Sequence, residues 1–278
     1  MSKQKFGGAW TLIKLTVIEN YLKAYATALK KLKYKFIYID AFAGTGRCDT
    51  KAGFVDGSAK IALQIDRFDE YIFIEYDEEK CNELQELKKL YPNKKITIIN
   101  GDCNLEINKI VKKYNWTFYR ALAFIDPFSF EFDFSTHSKI ASTKAIDVWC
   151  LYPISYAARY MPNKGNILDT NKKSLDRLFG ETNWEEALYK KDPQFNFLDN
   201  IDGNTAVKRV NEKEICCYFR ERLKTLYPSV TCPLCLRNSN NAPLFLFYFA
   251  MSNPDKKAIK LGNNIAHHLI GKDLICKK

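Results

Sequence analysis

The sequence predicts an α/β fold: a mostly parallel sheet, a helical insertion and a C-terminal antiparallel hairpin. Three observations lead there. Between residues 34 and 152, short apolar runs alternate with helix-like segments, the pattern of βαβ units. The first apolar run, Phe36 to Ile39, enters Asp40 and then the small-residue turn Ala43-Gly44-Thr45-Gly46. Such a turn at the end of a first strand lets backbone approach a ligand closely. Three later runs end in Glu75, in Gly101-Asp102 and in Asp126-Pro127-Phe128.

The elements follow in order. Over 9–33, Trp10, Ile13, Val17, Tyr21 and Ala24 recur at helical spacing, widened by Leu12, Leu15, Leu22, Tyr25 and Leu29. Tyr34 to Asp40 is the first strand. Arg47 to Gly57 reads as a loop, and Ser58 caps a helix to about Arg67. Tyr71 to Glu75 is a strand. The helix Glu78 to Leu90 has acids early and Lys88 and Lys89 late, which suits the helix dipole. Lys95 to Asn100 is a strand, Asn104 to Tyr114 a helix, and Ala121 to Asp126 and Ala145 to Tyr152 are the fourth and fifth strands. The regularity stops after Pro153. Gly165, Gly180, Pro193 and Gly203 punctuate a polar stretch with aromatics such as Tyr156, Tyr160, Phe179, Trp184, Phe195 and Phe197, read as a mostly helical insertion. Glu212 to Leu226 returns to helix. Val230 to Arg237 and Pro243 to Met251 form a hairpin across Asn238 to Ala242. A last helix spans Asp255 to Leu269. The segments are therefore 1–35, a basic helix; 36–153, the α/β core; 154–210, the insertion; and 211–278, the completion of the core.

At 278 residues and 46% hydrophobic content the chain suffices for one large α/β domain or two small ones. It lacks an apolar run of about 18 residues, so no membrane span is expected, and residues 1–8 lack the apolar core of a secretory signal. Nine scattered cysteines do not suggest a disulfide framework, so a reduced, cytoplasmic protein is expected. The net charge of +11 sits at the ends: residues 1–35 hold eight Lys and one Glu, and residues 255–278 hold six Lys and two Asp. Such ends favour polyanions such as nucleic acid. A solvated lysine surface would give the same count.

The glycine turn has limits as a motif. The third glycine of a dinucleotide fingerprint is missing, since Arg47-Cys48-Asp49 follows Gly46. No Walker lysine follows either, which excludes a P-loop. Glu75, at a strand end, is placed to accept hydrogen bonds from ribose hydroxyls, as acids do in dinucleotide folds. Asp102 is equally a helix cap. Asp126 ends the fourth strand, where an Asp-Pro turn without a chemical role is the competing reading. Cys232 and Cys235 make a single CxxC with no second pair, so no metal site is expected. No G-x-S-x-G hydrolase elbow exists.

The form Asp40-x-Phe42-x-Gly44-x-Gly46 resembles motif I of class I S-adenosylmethionine (SAM) methyltransferases. That resemblance implies a Rossmann-like sheet of order 3-2-1-4-5-7-6 with strand 7 antiparallel. It also implies that Asp40 and the glycine backbone hold the amino-acid end of SAM, that Glu75 binds its ribose, and that Asp102 binds its adenine. Asp126-Pro127-Phe128 resembles motif IV of amino-methyltransferases, in which the acid and the prolyl carbonyl bond a target amine and the aromatic stacks on a base. The second proline of that motif is absent here. Gly7 to Leu15, Tyr38 to Gly46, Gly57 to Leu63, Ile125 to Phe128 and Thr143 to Trp149 together resemble the three-Cys-motif partner proteins, TcmP. This implies a partner, the three-Cys-motif protein. The leading expectation is a SAM-dependent methyltransferase acting on nucleic acid or a nucleic-acid-associated target. The alternative is a non-catalytic, methyltransferase-like partner module. Trp10 and Lys14 are candidates to close over the pocket, with core packing the competing role for Trp10.

Overall fold

The computed structural model describes residues 8–50, 53–192 and 207–271. Gly7, Lys3, Lys5, Lys272, Lys277 and Lys278, and Pro193, Phe195, Phe197 and Gly203 of the insertion, lie outside the described residues. The first part of the chain gives α1 (Ala9–Ala28), β1 (Lys35–Asp40), β2 (Arg47–Thr50), β3 (Gly53–Asp56), α2 (Ser58–Leu63), β4 (Glu70–Glu75), α3 (Glu78–Lys89), β5 (Ile96–Asn100), α4 (Cys103–Lys113), β6 (Tyr119–Ile125), α5 (Phe134–Ser142) and β7 (Ile146–Tyr152). The insertion follows as α6 (Ile154–Tyr160), α7 (Asp169–Phe179), α8 (Trp184–Leu188), β8 (Tyr189–Lys191) and β9 (Val207–Arg209). The chain closes with α9 (Glu212–Lys224), β10 (Ser229–Val230), β11 (Leu234–Arg237), β12 (Pro243–Met251) and α10 (Lys256–Ile270).

One eight-stranded sheet organises these elements, in the order β10-β12-β7-β6-β1-β4-β5, with β11 also on β12. Strands β5, β4, β1, β6 and β7 are parallel, and β12 enters antiparallel beside β7. This is the order expected of the class I methyltransferase sheet. The chain leaves β1 toward β4 on one side and returns to β6 on the other, so strand order reverses at β1.

Alternation along each strand fills two cores. Ile37 and Ile39 of β1 face one, while Phe36 and Tyr38 face the other. The first core continues through Val148 and Tyr152 into Leu175, Phe179 and Trp184, so the insertion packs on the sheet. The second lies under α1, α2 and α10.

Several expectations are corrected. Arg47 to Gly57 is a β-hairpin, β2 with β3, and not a loop. The crossover between β6 and β7, to which the sequence reading gives no bounds, is the helix α5. The edge strand at 230–237 is broken into β10 and β11, because Pro233 donates no ladder hydrogen bond. The insertion contains an antiparallel strand pair, β8 with β9. In α1 the buried residues are Thr11, Lys14, Leu15, Val17, Ile18, Tyr21, Leu22 and Tyr25, so Leu15, Val17, Tyr21, Leu22 and Tyr25 are inward as expected, whereas Leu12 and Ile13 are exposed.

Candidate functional site

The turn after β1 is built by its glycines. Gly44 and Gly46 have φ of 59° and 75°, the left-handed region that favours glycine. They need it for different reasons. A Cβ on Gly44 would meet nothing within 4 Å, so this glycine faces open space. A Cβ on Gly46 would lie 2.6 Å from Leu87 Cδ2, so this one permits α3 to pack against the turn. The Gly46 carbonyl accepts from Gly57 N at 2.9 Å, which closes the base of the β2–β3 hairpin.

Glu75 fixes the turn to the neighbouring strand. Its Oε2 accepts from Gly44 N at 2.8 Å and its Oε1 from Asp77 N at 3.0 Å, with Lys80 Nζ 3.9 Å away. Asp102 caps α4, accepting from Leu105 N at 3.0 Å. The capping reading of Asp102 is therefore met.

These groups line a cleft of about 580 Å³ at the C-terminal ends of β1, β4, β5 and β6, a size typical of small-molecule sites. Phe42, Gly44, Glu75, Asp102, Asp126 and Phe128 are brought together there. Three other expected residues do not reach it. Asp40 is fully buried behind the turn. Gly46 packs on Leu87. Pro127 is buried beside the cleft without lining it. The cleft also gains Tyr76, Asp77, Lys80, Cys103 and Glu131. Tyr76 is 80% exposed, directly after the strand-end acid, and that position was the available signal. Glu131 accepts from Phe128 N at 3.1 Å and had no sequence signal.

Asp126 is not a free carboxylate. Its Oδ2 is held in an ion pair by Lys14 Nζ, which α1 carries into the protein; the two side chains are 23% and 6% exposed. Lys14 Nζ also lies 5.3 Å from the centroid of the Trp10 ring. Trp10 itself packs on Phe245, with ring centroids 4.8 Å apart, so it serves the core. Behind the pair, burial pushes the Asp40 carboxyl up to about 7, opposed by a hydrogen bond from Ser58. The Asp126 charge pushes it in the same direction as burial. Burial likewise pushes the nearby Cys48 thiol up.

Phe128 is 55% exposed and meets Tyr156 of α6 edge-on, with centroids 5.9 Å apart, so the insertion borders the cleft. A wider depression of about 730 Å³ lies between the β8–β9 pair and α9, away from the strand ends, among Lys190, Lys208, Glu212 and Glu214. Among the described residues, no group of three or more His, Cys, Asp or Glu is placed to hold a metal ion. No helix there is long and apolar enough to cross a membrane.

The chain matches no protein-family model and no curated protein sequence. Solved structures of similar outline include protein LPL1258 from Legionella pneumophila str. Philadelphia 1, at 14% identity over 89% of each chain with a TM-score of 0.43. The methyltransferase domain of bacterial CtHen1-C is 12% identical, with 84% of this chain and 98% of that one covered and a TM-score of 0.41. Spermidine synthase from Thermotoga maritima is 13% identical, over 92% of this chain and 63% of that one, with a TM-score of 0.42. At such identities the functional reading has to come from the cleft's own residues.

Proposed function

We propose that the chain is a SAM-dependent methyltransferase acting on nucleic acid or a nucleic-acid-associated target. One observation carries this reading: the Gly44 turn, Glu75, Asp102 and Asp126, each from a different strand end, converge on one cleft where strand order reverses. The donor set fits a nucleoside bearing an amino-acid tail. Glu75 has lone pairs left for ribose hydroxyls beyond its two backbone bonds. Asp102, at the edge of the cleft beyond β5, offers an acceptor to an exocyclic amine. Tyr76 presents a flat face to a base. The open space at Gly44 lets main chain approach the tail.

Bound SAM would supply an electrophilic methyl group on a sulfonium. The protein's part is alignment of acceptor and methyl in a site with little water. Asp126 and Phe128 line the side of the cleft beyond β6, where an acceptor would be held. Resemblance to TcmP adds the expectation of a three-Cys-motif protein as partner.

The Lys14–Asp126 pair favours a second reading, a non-catalytic partner module. A carboxylate already engaged by an ammonium is a weaker acceptor for a target amine. Incubating the protein with methyl-tritiated SAM and, in turn, RNA, DNA and the three-Cys-motif protein separates the two. Label incorporated into an acceptor and lost in Asp126→Ala supports the enzyme. Tight SAM binding without transfer to any acceptor supports the module.

A further inference from the structure

A second cavity, of about 350 Å³, lies at the opposite end of the sheet, between α1, α10 and the first residues of β1, β6 and β7. Its floor is polar and buried: Tyr21, Tyr25 and Asp147 are 1%, 8% and 8% exposed. Both tyrosine hydroxyls feel the Asp147 charge, and neither has a hydrogen-bond partner among the described residues. Asp147 Oδ1 accepts from Ser252 N at 3.1 Å. The Arg120 guanidinium stacks 3.9 Å from the Tyr34 ring centroid. The tyrosine rings are buried, but their hydroxyls open to the cavity, where water or the polar edge of a ligand pairs with them. An aliphatic chain filling this space would leave them unpaired. A flat ligand with hydrogen-bonding edges would satisfy them and still cover Tyr34 and Phe36.

The mouth adds charge. Leu32 and Leu261 stand there, each 46% exposed. Exposed Lys31 and Lys33 flank Leu32, and exposed Lys257 lies four residues before Leu261, on the neighbouring turn of α10. Lys30 lies two residues before Leu32 and is exposed as well. None of these four is in an ion pair among the described residues. Lysines just after α1 and Lys257 of α10 thus stand near one opening, since α1 packs on α10.

We propose that this cavity is a nucleotide site, taking the base of a nucleoside phosphate between its tyrosines and apolar walls, with the phosphate held by the lysines at its mouth. A free mononucleotide and the terminal nucleotide of a single strand share this chemistry.

The test titrates SAM-saturated protein with the four ribonucleoside 5′-monophosphates by calorimetry. A second arm follows a fluorescent single strand of about twelve nucleotides, with and without a 5′-phosphate, by anisotropy at low and high salt. Wild type should bind at least one nucleotide with SAM present. Ala28→Phe, which fills the cavity from the end of α1, should weaken that binding by about tenfold or more. The surface variant Lys31→Glu/Lys257→Glu should weaken it about fivefold or more at low salt and flatten its salt dependence. Binding of the phosphorylated strand tighter than of any mononucleotide identifies a strand end as the source; the reverse order identifies a free nucleotide. The proposal is overturned if neither probe binds, if SAM competes with them, or if folded variants bind as wild type does. The titration is repeated without SAM, so a failure of SAM to bind counts against the proposed function and leaves this result to stand alone.

Discussion

At the scale of single residues, the cleft is bordered by one ion pair with unequal partners. Lys14 is almost wholly enclosed, while Asp126 keeps some contact with water. Removing the carboxylate strands a buried ammonium; removing the ammonium leaves an acid that water reaches. Asp126→Ala should therefore cost more stability than Lys14→Met, with the former near 3 kcal/mol, the lower end for breaking a buried pair. Urea unfolding of both variants measures the order. Asp40 makes a pH prediction. Its folded value, about 7, lies above the unfolded one, so its stabilising share is full below about pH 4 and is lost as pH rises toward 7. Asn mimics the neutral acid. Asp40→Asn should then gain stability relative to wild type at pH 8 and much less at pH 5, on the order of 1.4 kcal/mol for each pH unit in that window. A gain equal at both pH values would contradict the account. The sequence supplied Glu75 and Asp102 because an acid after an apolar strand is visible in one dimension. It could not supply the Lys14–Asp126 contact, which joins residues far apart in the chain, nor the enclosure of Asp40.

At the scale of elements, the glycine turn combines two jobs that a motif reading merges. Gly44 faces the cleft, and Gly46 makes room for α3. Gly46→Ala should cost about 1–3 kcal/mol, from the positive φ and the crowding of Leu87 together. Its effect on ligand binding should be smaller than its effect on thermal stability, which a melting curve paired with a titration would check. The long amphipathic and strongly apolar elements were legible, β1 and β4 through β7 among them. Elements whose pattern is weak were not. The β2–β3 hairpin is short and Phe54 is exposed, so its residues carry no burial period. The helix α1 was legible, and Leu15, Val17, Tyr21, Leu22 and Tyr25 of its expected stripe are buried, but its first turns were not, because Lys14 points inward there while Leu12 and Ile13 face out. Burial of Lys14 makes sense only once Asp126 is beside it.

At the scale of the whole molecule, the sheet separates two ends. Acidic strand ends surround the cleft at one, and at the other exposed Lys30, Lys31, Lys33 and Lys257 stand near the mouth of the second cavity. Composition revealed the charge at each end of the chain, while only the packing of α1 on α10 brings these four lysines near one opening. The central claim concerns the acidic end: that the cleft beyond β1, β4, β5 and β6 is built for SAM. Calorimetric titration of SAM, with NADH as the comparison ligand, tests it most directly. The account predicts micromolar binding of SAM, no comparable binding of NADH, and a loss of about tenfold or more in Glu75→Ala. Absence of SAM binding by the folded protein, or equal binding by Glu75→Ala, would contradict it.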